Sequence, residues 1–311
     1  MKERNQFIVK LVISHFLLLP GIVSLSFFLR NEWGLTIAIS QTIAFIILLA
    51  GYWEFFPSKI KWGYFLVCEA LIITSFFFRF LTDSIANKSV VMVVALLLIQ
   101  LFVFDLLLHI IVVIFRKEKD SVEIEFPFKK GMYRITDGGN SKMSRLMNYH
   151  YHSKVHKQRK TNSSMLFATD IVKTDTISKR FLPRTNTDYP IFNEPVYSPM
   201  DGQVFSIVNN IPDNEPYQGN YPYNTGNTVI VKNGDYFFLL GHLKKGSITV
   251  KEGDTISKGQ CIAQAGDSGY SERPHLHMQL IKSDTNNFWK GTGVNITFRN
   301  KNLFKNRIVY C

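Results

Sequence analysis

The stretch GNTVIVKNGDYFFLLGHL, residues 226–243, holds two runs rich in Val, Ile, Phe and Leu, separated by Asn233-Gly234-Asp235. Glycine reaches positive φ without a Cβ penalty, and an Asn-Gly step between β-rich runs is a strong hairpin signal. The stretch therefore reads as two antiparallel strands. Its neighbours agree. VYSPMDGQVFSIV (196–208) alternates apolar positions around a Pro and Asp-Gly turn, and KEGDTISKGQCIAQAGDSG (251–269) places glycines at turn spacing. From about residue 121 no helical periodicity of useful length interrupts this pattern, so the region is expected to be an antiparallel all-β domain.

Upstream the composition changes. Residues 1–116 are dense in Phe, Leu, Ile and Val. Four apolar stretches, about 7–29, 34–56, 62–81 and 89–115, are long enough for helices that cross a bilayer, which takes roughly 20 residues. The first lacks a small-residue cleavage site and is followed at once by further apolar stretches, which argues against a removable signal peptide. The expected fold class is an α-helical transmembrane region over 1–116 and an all-β domain over 117–311. Glu69, Arg79, Asp105 and His109 fall in or near these stretches, and Asp105 and His109 are spaced to pair on one helix face. Lys2, Arg4 and Lys10, then Lys59 and Lys61, then Arg116, Lys117 and Lys119 would place both ends of the chain in the cytoplasm by the positive-inside rule.

The charge is also uneven. Residues 1–116 carry nine Lys/Arg and six Asp/Glu, whereas 117–311 carry 27 and 18. A basic domain suits an anionic setting. No zinc-finger spacing, RNP-like stretch or basic helix is present, so nucleic acid is the poorest candidate partner. Cys68, Cys261 and Cys311 form no spaced framework, no disulfide is expected, and Cys261 in GQCIAQA reads as a small core residue.

Six of the eight histidines lie beyond residue 117. Two of them, His275 and His277 in SGYSERPHLHMQLI (268–281), are one residue apart in a strand-like run. A strand repeats every two residues, so both rings share a face. Two such imidazoles can hold a metal, or divide the work between ligand and base.

The order of phrases EPVYSPMDGQV, GNTVIVKNGDYFFLLGHL, KEGDTISKGQCIAQAGDSG and PHLHMQL resembles the M23 (lysostaphin-like) zinc metallopeptidase family, roughly over 125–285 and most strongly over 195–281. That resemblance implies an M23-like β-fold related to the hammerhead barrel, and one zinc ion per chain. It makes His277 a zinc ligand, His275 the general base or the partner of the attacking water, and His242 a second active-site histidine that steadies the developing oxyanion. Many members carry H-x-x-x-D, with both outer residues on the metal. Here Asp170 is in place, but Leu166 stands where the histidine would be. MNYHYH (147–152) and SMLFATDI (164–171) resemble the two phrases of a subset that takes its histidine from further upstream, as does the lead-in FPFKKGMYRITDGGNS (126–141). On that alignment the metal set is His150, Asp170 and His277, with His152 and His156 as substitutes for His150. Three protein ligands leave one zinc position for water or substrate, and zinc activates water near neutral pH.

The implied activity is hydrolysis of peptide bonds in bacterial cell-wall peptidoglycan, in a stem peptide or a cross-bridge. The alternative is a catalytically inactive M23-like scaffold in wall, division or sporulation complexes, which the missing histidine at 166 would favour. The expected partners are a peptidoglycan peptide and the lipid bilayer. The loop NIPDNEPYQGNYPYNTGN (210–227) is rich in Tyr, Asn, Pro and Gly and suits a groove wall, with the segment between His150 and Asp170 opposite it. A wall substrate requires the β-domain outside the cell, against the charge rule. The expected localisation is therefore a multi-pass membrane protein with an extracellular C-terminal domain.

Overall fold

The computed structural model describes residues 33–56, 58–82, 90–116, 118–140, 146–152, 162–174, 183–220 and 224–311, with scattered positions before residue 33. The chain divides into two units, Met1–Val112 and Val113–Cys311.

The first unit is helical. Helix α1 spans Trp33–Ala50, α2 spans Ser58–Thr82 and α3 begins at Val90 and runs to Phe115. Helices α2 and α3 are long and apolar enough to cross a membrane by length and composition. Many large apolar side chains on α3 are exposed, among them Val91, Leu98 and Phe102. The apolar stretch expected over 34–56 is shorter as a helix, because α1 stops at Ala50. There the Trp53 indole N–H donates to the Ile47 carbonyl at 2.8 Å, and the Gly51 amide takes the same carbonyl, so the chain turns over its own last helical turn. At about 1.5 Å per residue α1 is roughly 27 Å long, a little under the bilayer core. The stretch expected over 7–29 falls mostly outside the described residues. On α3 the His109 ring lies 3.3 Å from the Asp105 carboxylate, the pairing their spacing suggested. The Arg79 side chain lies outside the described residues.

The second unit is β-rich. Strands β1 (Val122–Glu123), β2 (Met132–Asp137) and β3 (Thr169–Lys173) come first. β4 (Pro195–Tyr197) and β5 (Gly202–Val208) follow, flanking the turn read in 196–208. β6 (Asn227–Asn233) and β7 (Tyr236–Leu243) form the expected hairpin, closed by Gly234 at φ 56°. β8 (Thr255–Ile256), β9 (Cys261–Gln264) and β10 (Leu276–Lys282) come next. Then come β11 (Thr292–Val294), β12 (Ile296–Phe298), β13 (Lys301–Asn302) and β14 (Ile308–Tyr310).

The main sheet runs β14-β2-β3-β10-β7-β6-β5-β8, with β11 paired to the far end of β10, and every pairing in it is antiparallel. β1 pairs in parallel with β12 in a small separate sheet, and β4 pairs with β9 in another. The apolar runs TVIV and YFFLL have no polar alternation because both faces of the central strands are covered. Val229, Val231, Phe238, Leu240, Met278 and Leu280 point into the larger core. Ile230, Phe237, Leu239 and Ile281 face the other way, against Phe288. Cys261 departs from its expected core position. It is exposed at the start of β9, where the ladder with β4 is irregular at Val196/Tyr197, and Ile262 takes the buried place. All three cysteines are free thiols.

Candidate metal centre

The face of β10 opposite the main core changes character along its length. Ile281 is packed in the smaller apolar cluster, whereas Gln279 and His277, two and four residues earlier, are buried polar groups on that same face. β10 is flanked by β3 and β7, and both neighbours bring something to His277. Asp170 on β3 is its direct partner in one ladder, and Gly241 on β7 is its partner in the other. Directly opposed residues in an antiparallel pair have Cβ atoms about 5 Å apart on one face, so Asp170 meets the His277 ring. The His277 Nδ1 to Asp170 Oδ1 distance is 2.9 Å.

The adjacent residue, His242, would point away from this face in a regular strand. It instead has φ 55°, a left-handed conformation unusual for a residue with a side chain. The β6–β7 register shifts between Asn227 and Val229 at the same level. Turned in this way, the His242 ring lies 4.6 Å from the His275 ring and 5.7 Å from the His277 ring, centroid to centroid. His275 sits one residue before β10 begins, and its Nε2 is 3.7 Å from Asp170 Oδ2.

The third partner comes from a short 3-10 turn, Tyr149–His152. It places His150 with Nε2 3.5 Å from Asp170 Oδ2 and its ring 4.9 Å from that of His277. Each of His150, Asp170 and His277 offers one ligand-type atom, and these atoms lie within 4.8 Å of one another. Leu166 belongs to a turn whose backbone packs on β11, so closely that a Cβ at Gly293 would clash with the Leu166 carbonyl. The His152 side chain and His156 lie outside the described residues.

Hydrogen bonds fix the chemistry of the rings. His242 Nδ1 lies 2.7 Å from the Ser268 carbonyl and His275 Nδ1 lies 2.8 Å from the Arg273 carbonyl. A carbonyl only accepts, so both rings carry hydrogen on Nδ1, and their neutral forms present an Nε2 lone pair. The oxyanion donor expected of His242 is thus an acceptor at rest and donates only after taking up a proton. His150 is bound through Nδ1 to the Asn148 side-chain oxygen at 2.9 Å, and His277 through Nε2 to the Gln279 side-chain oxygen at 3.0 Å. Asn148 and Gln279 had no place in the sequence reading. The signal for Gln279 was its position in HLHMQ, on the same strand face as both histidines.

Burial dominates the protonation balance. It pushes His150 down to about 4, against the opposing pull of Asp170, and lowers His242 and His275 as well. For His277 burial also acts to lower the value, but the hydrogen bond and charge of Asp170 outweigh it and raise the pKa. Burial alone would raise Asp170, whereas His150, His275 and His277 together hold it well below the ordinary carboxylate range. The cluster is therefore one carboxylate among mostly neutral imidazoles. Two imidazole nitrogens and a carboxylate oxygen suit zinc among common divalent ions. The buried hydrogen-bond partners behind both rings are what metal-ligating histidines have.

The described parts of the loop, 210–220 and 224–227, are tied down beside this cluster. Asn227 and Ile211 exchange two hydrogen bonds, of 2.8 and 2.9 Å, and Asn214 donates to the carbonyls of Gly269 and Ser271. The loop thus holds the segment that carries Ser268, the acceptor for His242. The opposite wall expected between His150 and Asp170 falls largely outside the described residues.

Residues 185–294 match peptidase family M23. The M23 segment contains His242, His275 and His277, whereas His150 and Asp170 lie upstream of it. Over 107 residues the chain is 36% identical to "Peptidoglycan DD-endopeptidase ShyA" and 37% identical to "Peptidoglycan DD-endopeptidase ShyB", both of Vibrio cholerae. Each alignment covers 34% of this chain and 22% of the relative, so the chain spans about a fifth of the length of these curated relatives. Among solved structures, a zinc containing peptidase from Vibrio cholerae aligns with a TM-score of 0.32 at 25% identity, covering 54% of this chain and 37% of the other.

Proposed function

We propose that the chain is a membrane-anchored zinc endopeptidase that hydrolyses peptide bonds of bacterial peptidoglycan. The observation that carries this reading is the convergence of three ligand-type side chains within 4.8 Å, with two further imidazoles from the M23 segment packed beside them. The relatives' names support the substrate class.

His150, Asp170 and His277 would hold the ion, one per chain. When bound, zinc supplies Lewis acidity at neutral pH. The chain's own groups do the rest. His275 Nε2, with its other nitrogen tied to Arg273, accepts the proton of the attacking water. His242 Nε2 faces the same space and, once protonated, donates to the developing oxyanion. The loop 210–227 forms one wall for an extended peptide. In this reading residues 1–116 anchor the enzyme through several membrane passes, and residues 117–311 form the peptidase domain on the outer side of the membrane, where the wall is. The basic balance of that domain favours anionic wall polymers.

The test is to incubate the full-length protein, reconstituted in lipid vesicles, with purified peptidoglycan and to analyse released fragments by mass spectrometry. Cleavage at a peptide bond, abolished by a chelator and by His277→Ala, is the expected result. No release by a zinc-loaded, folded protein would leave the scaffold reading in its place.

A further inference from the structure

We propose that two neutral amides, Asn148 and Gln279, choose which nitrogen His150 and His277 turn toward the ion, and choose opposite ones. This rests on the reading of His150, Asp170 and His277 as metal ligands.

Asn148 is fully buried. Its side-chain nitrogen donates to the Gly139 and Ala168 carbonyls, at 2.9 and 3.0 Å, so both amide hydrogens are used. The oxygen therefore faces His150 and accepts from its backbone N–H at 3.0 Å and from ring Nδ1 at 2.9 Å. A flipped amide would set an NH2 group against those two donors and an oxygen against two carbonyls. His150 is thereby held with hydrogen on Nδ1 and a lone pair on Nε2, the atom that faces Asp170.

Gln279 is also fully buried, and its nitrogen donates to the Ser164 carbonyl at 3.3 Å. Its oxygen is thereby aimed at His277 Nε2, 3.0 Å away. Gln279 keeps the hydrogen on Nε2, so the nitrogen that His277 would give to the ion is Nδ1, which without metal donates its hydrogen to Asp170 at 2.9 Å and would release it on binding. The geometry requires this opposite choice. Gln279 follows His277 by two residues on the same strand face and reaches the nitrogen that points along the strand. The nitrogen that points across the ladder is left for the ion. Both acceptors are neutral amides, not carboxylates, so they orient the rings without adding the basicity that a carboxylate partner would confer. Asn148 and Gln279 are positioning residues. They are buried and touch the candidate ligand rings.

The test uses the full-length protein in detergent, stripped of metal, with zinc affinity read by competition against a chromophoric chelator and the d–d spectrum read after cobalt loading. Gln279→Leu removes the acceptor at similar volume, and an affinity loss of about 10- to 100-fold with an altered cobalt spectrum is expected. Gln279→Glu restores the acceptor and should return affinity to within a few-fold of the unmodified protein. Unchanged affinity and spectrum in Gln279→Leu would overturn the inference. If Gln279→Leu does not fold, Gln279→Glu decides, and a loss as large as that expected for the leucine variant sinks it. A parent protein that takes up no zinc would overturn the ligand reading itself, whereas zinc binding without peptidoglycan cleavage would leave the amide assignment standing.

Discussion

Asp170 and His277 are direct partners in the β3–β10 ladder, and their side chains meet at 2.9 Å with the His150 ring closing over them. A ladder pair is held by backbone hydrogen bonds on both strands. The two side chains are therefore placed before any ion arrives. Asp170→Asn keeps the shape and removes the charge that holds the ligand set together. Its zinc affinity should fall by more than about 100-fold, beyond the usual effect of an outer-sphere change, with little change in circular dichroism.

His150 is tied to Asp170 in the structure, and His152 and His156 are its sequence alternatives. His150→Ala should abolish zinc binding measured by metal analysis of the purified protein, whereas His152→Ala and His156→Ala should each retain one zinc per chain. Zinc retained in His150→Ala and lost in His156→Ala would reassign the ligand.

The His275 and His242 rings pack beside the cluster, with His275 Nε2 3.7 Å from Asp170, and neither belongs to the ligand set. Their alanine variants should keep their zinc and lose about 100- to 10,000-fold in turnover, the range typical of a positioned acid or base. Because burial lowers both pKa values, the acid limb of the activity profile should lie below the ordinary histidine value. At His242 the backbone adds a second effect. Alanine at φ 55° is strained, whereas asparagine tolerates the left-handed region, so His242→Asn should melt at a higher temperature than His242→Ala.

Stability of the metal-free protein should fall on acidification. A buried histidine with a depressed pKa binds protons more readily when unfolded, so stability is present above the unfolded value and is lost as pH falls below it. His150, His242 and His275 all act in this direction. His277, raised by Asp170, has its full contribution throughout the range below the unfolded value, and Asp170 loses its own only at far lower pH. The expected window runs from about pH 6.5 down to about 4. His150 alone contributes on the order of 3 kcal/mol by its lower end. Denaturant melts of metal-stripped protein at pH 7.5, 6 and 5 test this, and a flat series would contradict it.

Gly226 joins the loop 210–227 to β6 at φ 61°, and a Cβ there would lie 2.2 Å from the Ser268 carbonyl, the acceptor for His242. Gly226→Ala should destabilise the domain by more than about 1 kcal/mol in urea melts and also lower turnover. A variant that matches the parent in both would show that the loop does not hold Ser268.

Much of the β-domain was legible locally. The hairpin at 226–243 follows from an Asn-Gly step between β-branched and aromatic runs, and the glycines of 251–269 sit where positive φ was needed, at Gly253, Gly259 and Gly269. Cys261 misled because its neighbours are apolar, whereas its own exposure depends on an irregular edge pairing with β4. The helix over 34–56 was read too long because hydropathy does not register the Trp53 hydrogen bond that turns the chain after Ala50.

By itself the sequence determined the elements whose causes lie within a few residues: apolar helices before residue 116, short strands after it, and two histidines on one face of PHLHMQL. Only the tertiary structure decided which side chains share a site. Asp170 meets His277 through the pairing of strands more than a hundred residues apart, and His242 joins them only because its backbone leaves the regular strand conformation. Asn148 and Gln279 are each two residues from their histidine, and only the fold aims their side-chain oxygens at the rings. A hydrogen bond depends on distance and angle between atoms, and only the folded sheet sets these.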